Sequence, residues 1–263
     1  MAELRRLLIA NRGEIAVRII GACREMGVSP VVAVVAAERE SMATSLADGM
    51  IEVPSYLDAE ALVHAATDAG ADSVHPGYGF LAEDPVFAAL VLEAGLRWVG
   101  PPPEAMRTLG DKMAARTVAQ RAGVPVVPGI SSDGLSDEDL ARGARELGTP
   151  LLVKAAAGGG GRGMRTVADP DDLEAALAAA RQEAAASFGD GRVFVERRLG
   201  SVHHVEVQVL LDDHGNAVHL GERDCSLQRR HQKIVEESPS PLVDDALRSA
   251  LGDAAIAIAI AAG

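Results

Sequence analysis

The sequence predicts an α/β protein of two units, a doubly wound parallel sheet with helices on both faces followed by a smaller mixed α+β unit that carries a glycine-rich flap. Three observations lead there. Short apolar runs alternate with segments of helical period from "RLLIA" at 6–10 to "LRWVG" at 96–100. The prolines of "GPPPEAM" then break the alternation, since residues without an N–H cannot continue a sheet ladder. Beyond them, "VKAAAGGGGRGM" at 153–164 sets five glycines in six positions behind a strand-terminal lysine.

Taken in order, "RLLIA" reads as a buried strand, "EIAVRIIGACREMG" as a helix with a glycine stop, and "PVVAVVA" as a second strand, a βαβ opening. "AEALVHAATDAG" and "DPVFAALVLEAG" are helices, and "ADSVHPG" and "LRWVG" are strands. The first strand leads into "ANRGE" and not into a glycine fingerprint, so the fold lacks the usual means of holding a dinucleotide. The boundary is set at 103/104, giving domains 1–103 and 104–263. In the second, "GDKMAARTVAQRAG", "DEDLARGARELG" and "DPDDLEAALAAARQEAAAS" are predicted helices, and "VPVVPG", "PLLVK", "MRTVA" and "RVFVERRL" predicted strands. "HHVEVQVLLDDHGNAVHLGERD" alternates about the turn "DDHGN" and is expected to be an antiparallel hairpin with one face buried. "DDALRSALGDAAIAIAIAAG" is a final helix ending on glycine.

Composition narrows the function. The 263 residues are 48% hydrophobic, enough for a real core, yet no apolar stretch is long enough to span a membrane. "MAELRRLLIANRGE" has too short an apolar segment for a signal peptide, so a cytoplasmic protein is expected. Cys23 and Cys225 alone form neither a disulfide framework nor a C-x-x-C metal pattern. A net charge of −13 and 3% aromatic residues argue against a nucleic-acid partner.

The glycine-rich stretch is not a P-loop, because Met164 follows Gly163 where Lys and then Ser or Thr are required. Gly158, Gly160 and Gly163 match G-x-G-x-x-G formally, but a strand follows where that fingerprint opens a helix. What remains is a hairpin tip whose N–H groups could lie over a polyphosphate beside Lys154 and Arg162, or a flexible surface loop. "QRRHQK" at 228–233 is the strongest local positive signal in an acidic chain. Glu236 and Glu237, adjacent on an expected strand, point to opposite faces and are poorly placed to share one ion.

Six stretches, "IANRGEIAVRI", "HPGYGFLAED", "GDKMAAR", "VKAAAGGGGRGMR", "HHVEVQVL" and "ERDCSLQRRHQKIVEESP", occur in an order and spacing that resemble the biotin carboxylases, ATP-grasp ligases of acyl-CoA carboxylases and pyruvate carboxylase. The resemblance implies a Rossmann-like, pre-ATP-grasp domain, then an ATP-grasp domain with its lid at about 126–199 and its second half cut short. It assigns Lys112, Lys154, Gly160 and Gly161 to ATP phosphates, and Glu196, Arg197, Arg198 and Leu199 to the adenine hinge. It sets His204, Gln228 and His231 beside the nucleotide and makes Lys233 the catalytic residue at bicarbonate. Ala157, Arg197 and Arg198 depart from the family pattern, which commonly has glycine, lysine and an aromatic residue there.

The implied reaction carboxylates biotin with bicarbonate and ATP through carboxyphosphate, using Mg²⁺ or Mn²⁺ whose ligands the family places after the last residue of this chain. The implied partners are a biotin carboxyl carrier protein, a carboxyltransferase subunit and a second copy in a homodimer, with a role in fatty acid metabolism. On this reading residues 1–263 alone are expected to be inactive. The alternative is a non-catalytic nucleotide-binding or partner-binding module.

Overall fold

The computed structural model describes residues 4–156, 164–212, 214–229 and 232–263. The chain divides into two units, residues 1–107 and 108–263.

The first unit runs β1 (Arg6–Ile9), α1 (Gly13–Glu25), β2 (Ser29–Val34), α2 (Met42–Leu46), β3 (Gly49–Glu52), α3 (Ala59–Asp68), β4 (Ser73–His75), α4 (Pro85–Glu93) and β5 (Arg97–Trp98). The strands form one sheet in the order β3-β2-β1-β4-β5, all parallel. Alternation along the strands sorts the core: Leu8, Val31 and Val74 face α3 and α4 through Leu62, Ala66, Phe87 and Val91. Leu7, Ile9, Val32 and Val34 face α1 and α2 through Ala16, Ile19, Ile20 and Ala43. α3 and α4 start where side chains cap them, Asp58 accepting from Ala61 N and Asp84 from Val86 N and Phe87 N.

The strand order reverses between β1 and β4, and the crevice there, where this topology usually takes a ligand, is filled by the chain itself. Buried Asn11 donates from Nδ2 to the carbonyls of Pro76 at 2.7 Å and Tyr78 at 2.8 Å. A Cβ on Gly77 would lie 2.6 Å from that nitrogen, so only glycine fits.

A further helix, α5 (Pro103–Gly110), carries the chain across the division. The second unit continues with α6 (Lys112–Arg121), β6 (Gly129–Ser131), α7 (Asp137–Glu146), β7 (Leu151–Ala155), β8 (Arg165–Val167), α8 (Leu173–Phe188), β9 (Val193–Arg197), β10 (Val205–Leu211), β11 (Ala217–Arg229), β12 (Gln232–Glu237) and α9 (Asp245–Ala262). One antiparallel sheet has the order β6-β9-β7-β8, with its core against α7 and α8, built from Leu140, Leu151, Val153, Leu173, Leu177, Val193 and Val195. The other has the order β10-β11-β12. α9 packs against β10, β11 and α6.

Two expectations need correction. "VPVVPG" is not a strand: Pro125 and Pro128 have no N–H for a ladder, and β6 begins at Gly129, where a Cβ would strike the Phe194 ring at 2.4 Å. The β10–β11 hairpin turns one face to α9 as expected, with Val207, Val209 and His219 half-buried there, but that face is not apolar throughout. Leu210, Val218 and Leu220 are exposed, whereas Glu222, Asp224 and Cys225 are buried. Polar partners make that possible. Glu222 accepts from Arg248 of α9 at 2.9 and 3.1 Å and from Ser240 N at 3.2 Å, and Asp224 accepts from the Ser240 and Ser226 hydroxyls. α9 also lies so close that a Cβ on Gly252 would meet the His219 ring at 2.5 Å. No helix among the described residues is long and apolar enough to cross a membrane.

The Glu222 side chain is 1% exposed, while Asp245, the other carboxylate on Arg248, is fully exposed. Glu222→Gln should therefore lower the thermal midpoint of the second unit by roughly 5 °C or more, and Asp245→Asn by about 1 °C or less, in thermal unfolding followed by circular dichroism.

Candidate active site

Lys154 owes its position to the pleat of β7. Leu151, Val153 and Ala155 enter the core, which turns Leu152 and Lys154 to the opposite face. Lys154 pairs in register with Phe194 and Leu152 with Glu196, so Lys154 and Glu196 are diagonal neighbours on that face and form an ion pair through Nζ and Oε1. Lys112 opens α6 behind the N-cap Asp111, whose carboxylate accepts from Met113 N and Ala114 N, and its Nζ donates to Ala155 O at 3.3 Å. Burial pulls the Lys112 pKa down and the neighbouring Lys154 charge pulls it further, against an opposing pull from Glu196. One turn along, the Arg116 guanidinium lies 5.1 Å over the Phe194 ring and donates to Val127 O. Two ammonium groups share one carboxylate here, and an anion bearing several charges would relieve their repulsion.

Glu196 to Leu199, the residues expected at an adenine hinge, lie at and beyond the end of β9. Arg197 N and Arg198 N donate to the carbonyls of Pro128 and Pro150, the Arg197 side chain donates to Leu147 O at 3.2 Å, and Leu199 is exposed. The Arg197 side chain is thus directed at the end of α7. Gly160, Gly161 and His231 lie outside the described residues.

A second grouping forms on the β10-β11-β12 sheet. Gln228 Nε2 stands 2.7 Å from His204 Nδ1 and 2.9 Å from Cys225 O. With Nδ1 as acceptor from Gln228, the neutral His204 ring carries its proton on Nε2. Gln228 is also the register partner of Lys233 across β11 and β12. Lys233 Nζ in turn pairs with Glu206, which pairs with Arg223 as well. Partial burial alone would raise the Glu206 pKa, but hydrogen bonds from Lys233 and Arg223 outweigh it and bring the group to about 2. The same carboxylate raises the Lys233 pKa and keeps its ammonium charged. Glu236 is 3.7 Å from Arg223, and the buried Cys225 thiol is pushed up by desolvation.

Sequence reasoning missed Glu206, Arg223 and Arg116. Glu206 faces Arg223 because β11 carries an extra residue between His219 and Glu222, at Gly221 with φ +89°, opposite the Val207–Val209 step of β10. Alternating strands signal a hairpin, but a bulge of this kind has only its glycine to announce it.

Residues 3–106 match the family model for the biotin carboxylase N-terminal domain, and residues 111–263 that for the ATP-binding domain of the carbamoyl-phosphate synthase L chain. The chain is 49% identical over 252 residues to the biotin carboxylase of Pseudomonas aeruginosa, a match covering 93% of this chain and 56% of that protein. It resembles a biotin carboxylase–beta-gamma-ATP complex from Campylobacter jejuni with a TM-score of 0.92 and 44% identity, over 99% of this chain and 60% of that one. The biotin carboxylase domain of Hydrogenobacter thermophilus 2-oxoglutarate carboxylase, solved with MgADP, ADP and bicarbonate, gives 0.91 and 41%, over 100% and 59%. The chain therefore spans a little over half the length of these relatives. Matches along both units and a shared fold at this identity lead to one conclusion: the chain belongs to the biotin carboxylase family, and its second unit is of the ATP-grasp class.

Proposed function

We propose that this chain provides the nucleotide-handling part of an ATP-dependent biotin carboxylase. The observation that carries the reading is the meeting of Lys112 and Lys154 at β7, two half-buried ammonium groups directly before the glycine-rich stretch 157–163. On this reading they neutralise the ATP phosphates together with the backbone of Gly160 and Gly161. Glu196 holds Lys154 until the nucleotide competes for it. Glu196 to Leu199 form the adenine hinge, and the outward Nε2–H of His204, Gln228 and His231 contact the nucleotide.

Lys233 is assigned to bicarbonate. A bicarbonate oxygen attacks the γ-phosphorus, the bond to the ADP oxygen breaks, and carboxyphosphate forms. Carboxyphosphate releases CO₂ and phosphate, and the CO₂ passes to a ureido nitrogen of biotin, which gives up its proton. Lys233, kept charged and aimed by Glu206, stabilises the negative charge that spreads over the reacting oxygens.

A Mg²⁺ or Mn²⁺ ion accompanies the ATP in this scheme, but the described residues do not fit one. Their one close grouping of donors is Glu206, Cys225 and Glu236, where Glu206 is already claimed by two cations and Cys225 is a buried thiol, unsuited to an ion that wants oxygen. The scheme places the protein in the cytoplasm, with a biotin carboxyl carrier protein and a carboxyltransferase as partners, a homodimer as the assembly, and an acyl-CoA carboxylase of fatty acid metabolism as the setting.

Lys154→Ala removes a charge-assisted contact and should weaken ATP affinity about tenfold or more in a calorimetric titration; an unchanged affinity would count against the phosphate assignment. Lys233→Gln should lower kcat for bicarbonate-dependent ATP cleavage about a hundredfold and leave ATP binding nearly unchanged. The reverse pattern, lost affinity with normal turnover at saturation, would move Lys233 to the nucleotide.

A further inference from the structure

We propose that Arg192 is a positioning residue for the nucleotide site: its guanidinium gathers three carboxylates beside Lys112, fixing the start of α6 and masking negative charge that would otherwise repel the triphosphate. The inference rests on the ATP reading above. Asp190 takes the guanidinium side-on, with Nε at 2.9 Å and Nη2 at 2.7 Å from Oδ2. Asp133, in the turn after β6, lies 3.7 Å from Nη1, and Asp111 lies 3.5 Å from Nη2. Asp111 is the N-cap that precedes Lys112, and it divides its oxygens: Oδ1 accepts from Met113 N and Ala114 N at 2.9 Å while Oδ2 faces Arg192. The backbone of Arg192 is also engaged, its carbonyl accepting from Ala156 N at 2.9 Å, immediately before the glycine-rich stretch.

One residue therefore links, by its side chain and its backbone, the helix that presents Lys112 to the strand pair that presents Lys154. Its guanidinium is 44% exposed, so these pairs contribute little to stability and the consequence is electrostatic. Without Arg192 three carboxylates from separate elements would repel one another, and their field would oppose a polyanion bound next door. A chain of net charge −13 has no surplus of positive charge to offset them.

The test is the ATP and adenosine affinity of residues 1–263, unsubstituted and as Arg192→Gln, Arg192→Lys and the double variant Asp133→Asn/Arg192→Gln, with thermal melts to check folding. Arg192→Gln should weaken ATP about three- to tenfold at low ionic strength, less at 0.5 M salt, and leave adenosine unchanged. Arg192→Lys and the charge-compensated double variant should recover most of the loss, which a purely structural role would not allow. Unchanged ATP affinity in Arg192→Gln overturns the proposal, as does an equal loss for ATP and adenosine that compensation does not relieve. If the unsubstituted chain binds no ATP, the nucleotide reading itself falls, and this inference with it.

Discussion

The pleat of β7 is the constraint on which the candidate site depends. The core claims Leu151, Val153 and Ala155, and a strand that buries every second side chain must send Lys154 the other way. Its antiparallel neighbour β9 then supplies Glu196 on the same face, and α6 lays Lys112 against the carbonyl of Ala155. Moving β7 by one residue would bury the lysine and expose the valine. The hydrophobic pattern and the placement of charge are therefore one requirement.

Carboxylates do much of the organising in the second unit, in different ways. Glu222 is enclosed, held by Arg248 and Ser240, and it docks α9 on the sheet. Glu206 is only partly enclosed and serves two cations, so its charge is satisfied while Lys233 stays charged. Glu196 holds Lys154 near a second ammonium whose charge burial already disfavours. Such counter-ions fix long lysine side chains before any anion arrives, which reduces the ordering that binding must supply.

Much of this architecture was legible in the sequence, because long periodic elements announce themselves. α1, α3, α4, α6 and α9 combine apolar period with glycine stops or aspartate caps, and the β7 lysine stands out against the glycines behind it. Short elements were less legible. β3, "GMIE", alternates half-buried with exposed residues and carries an exposed Met50, and β6 is displaced by the prolines before it. The hairpin and its covered face are legible, but the alternation of Val and Leu gives no hint that Glu222 and Asp224 are enclosed there by Arg248 and Ser240. The partners of Glu206 stand 17 and 27 residues away, beyond the reach of any local pattern.

Gly221 has a consequence for how this hairpin can vary. From Leu211 opposite Ala217 to Val209 opposite His219 the strands pair one to one, and continuing that count would set Glu206 against Glu222, two carboxylates face to face. The extra residue at Gly221 moves Arg223 into that place. Insertions or deletions confined to the tip, between Leu211 and Ala217, leave the pairing intact and can be tolerated. Loss of a single residue between His219 and Glu222 closes the bulge and still leaves Glu206 opposite Arg223, whereas a residue at 221 that cannot bulge would drive the full-length strand toward regular pairing and set Glu206 against Glu222 beneath Lys233. The hairpin thus has a tip open to change in length and a stem that depends on the backbone freedom of one residue, Gly221, more than on its residue count.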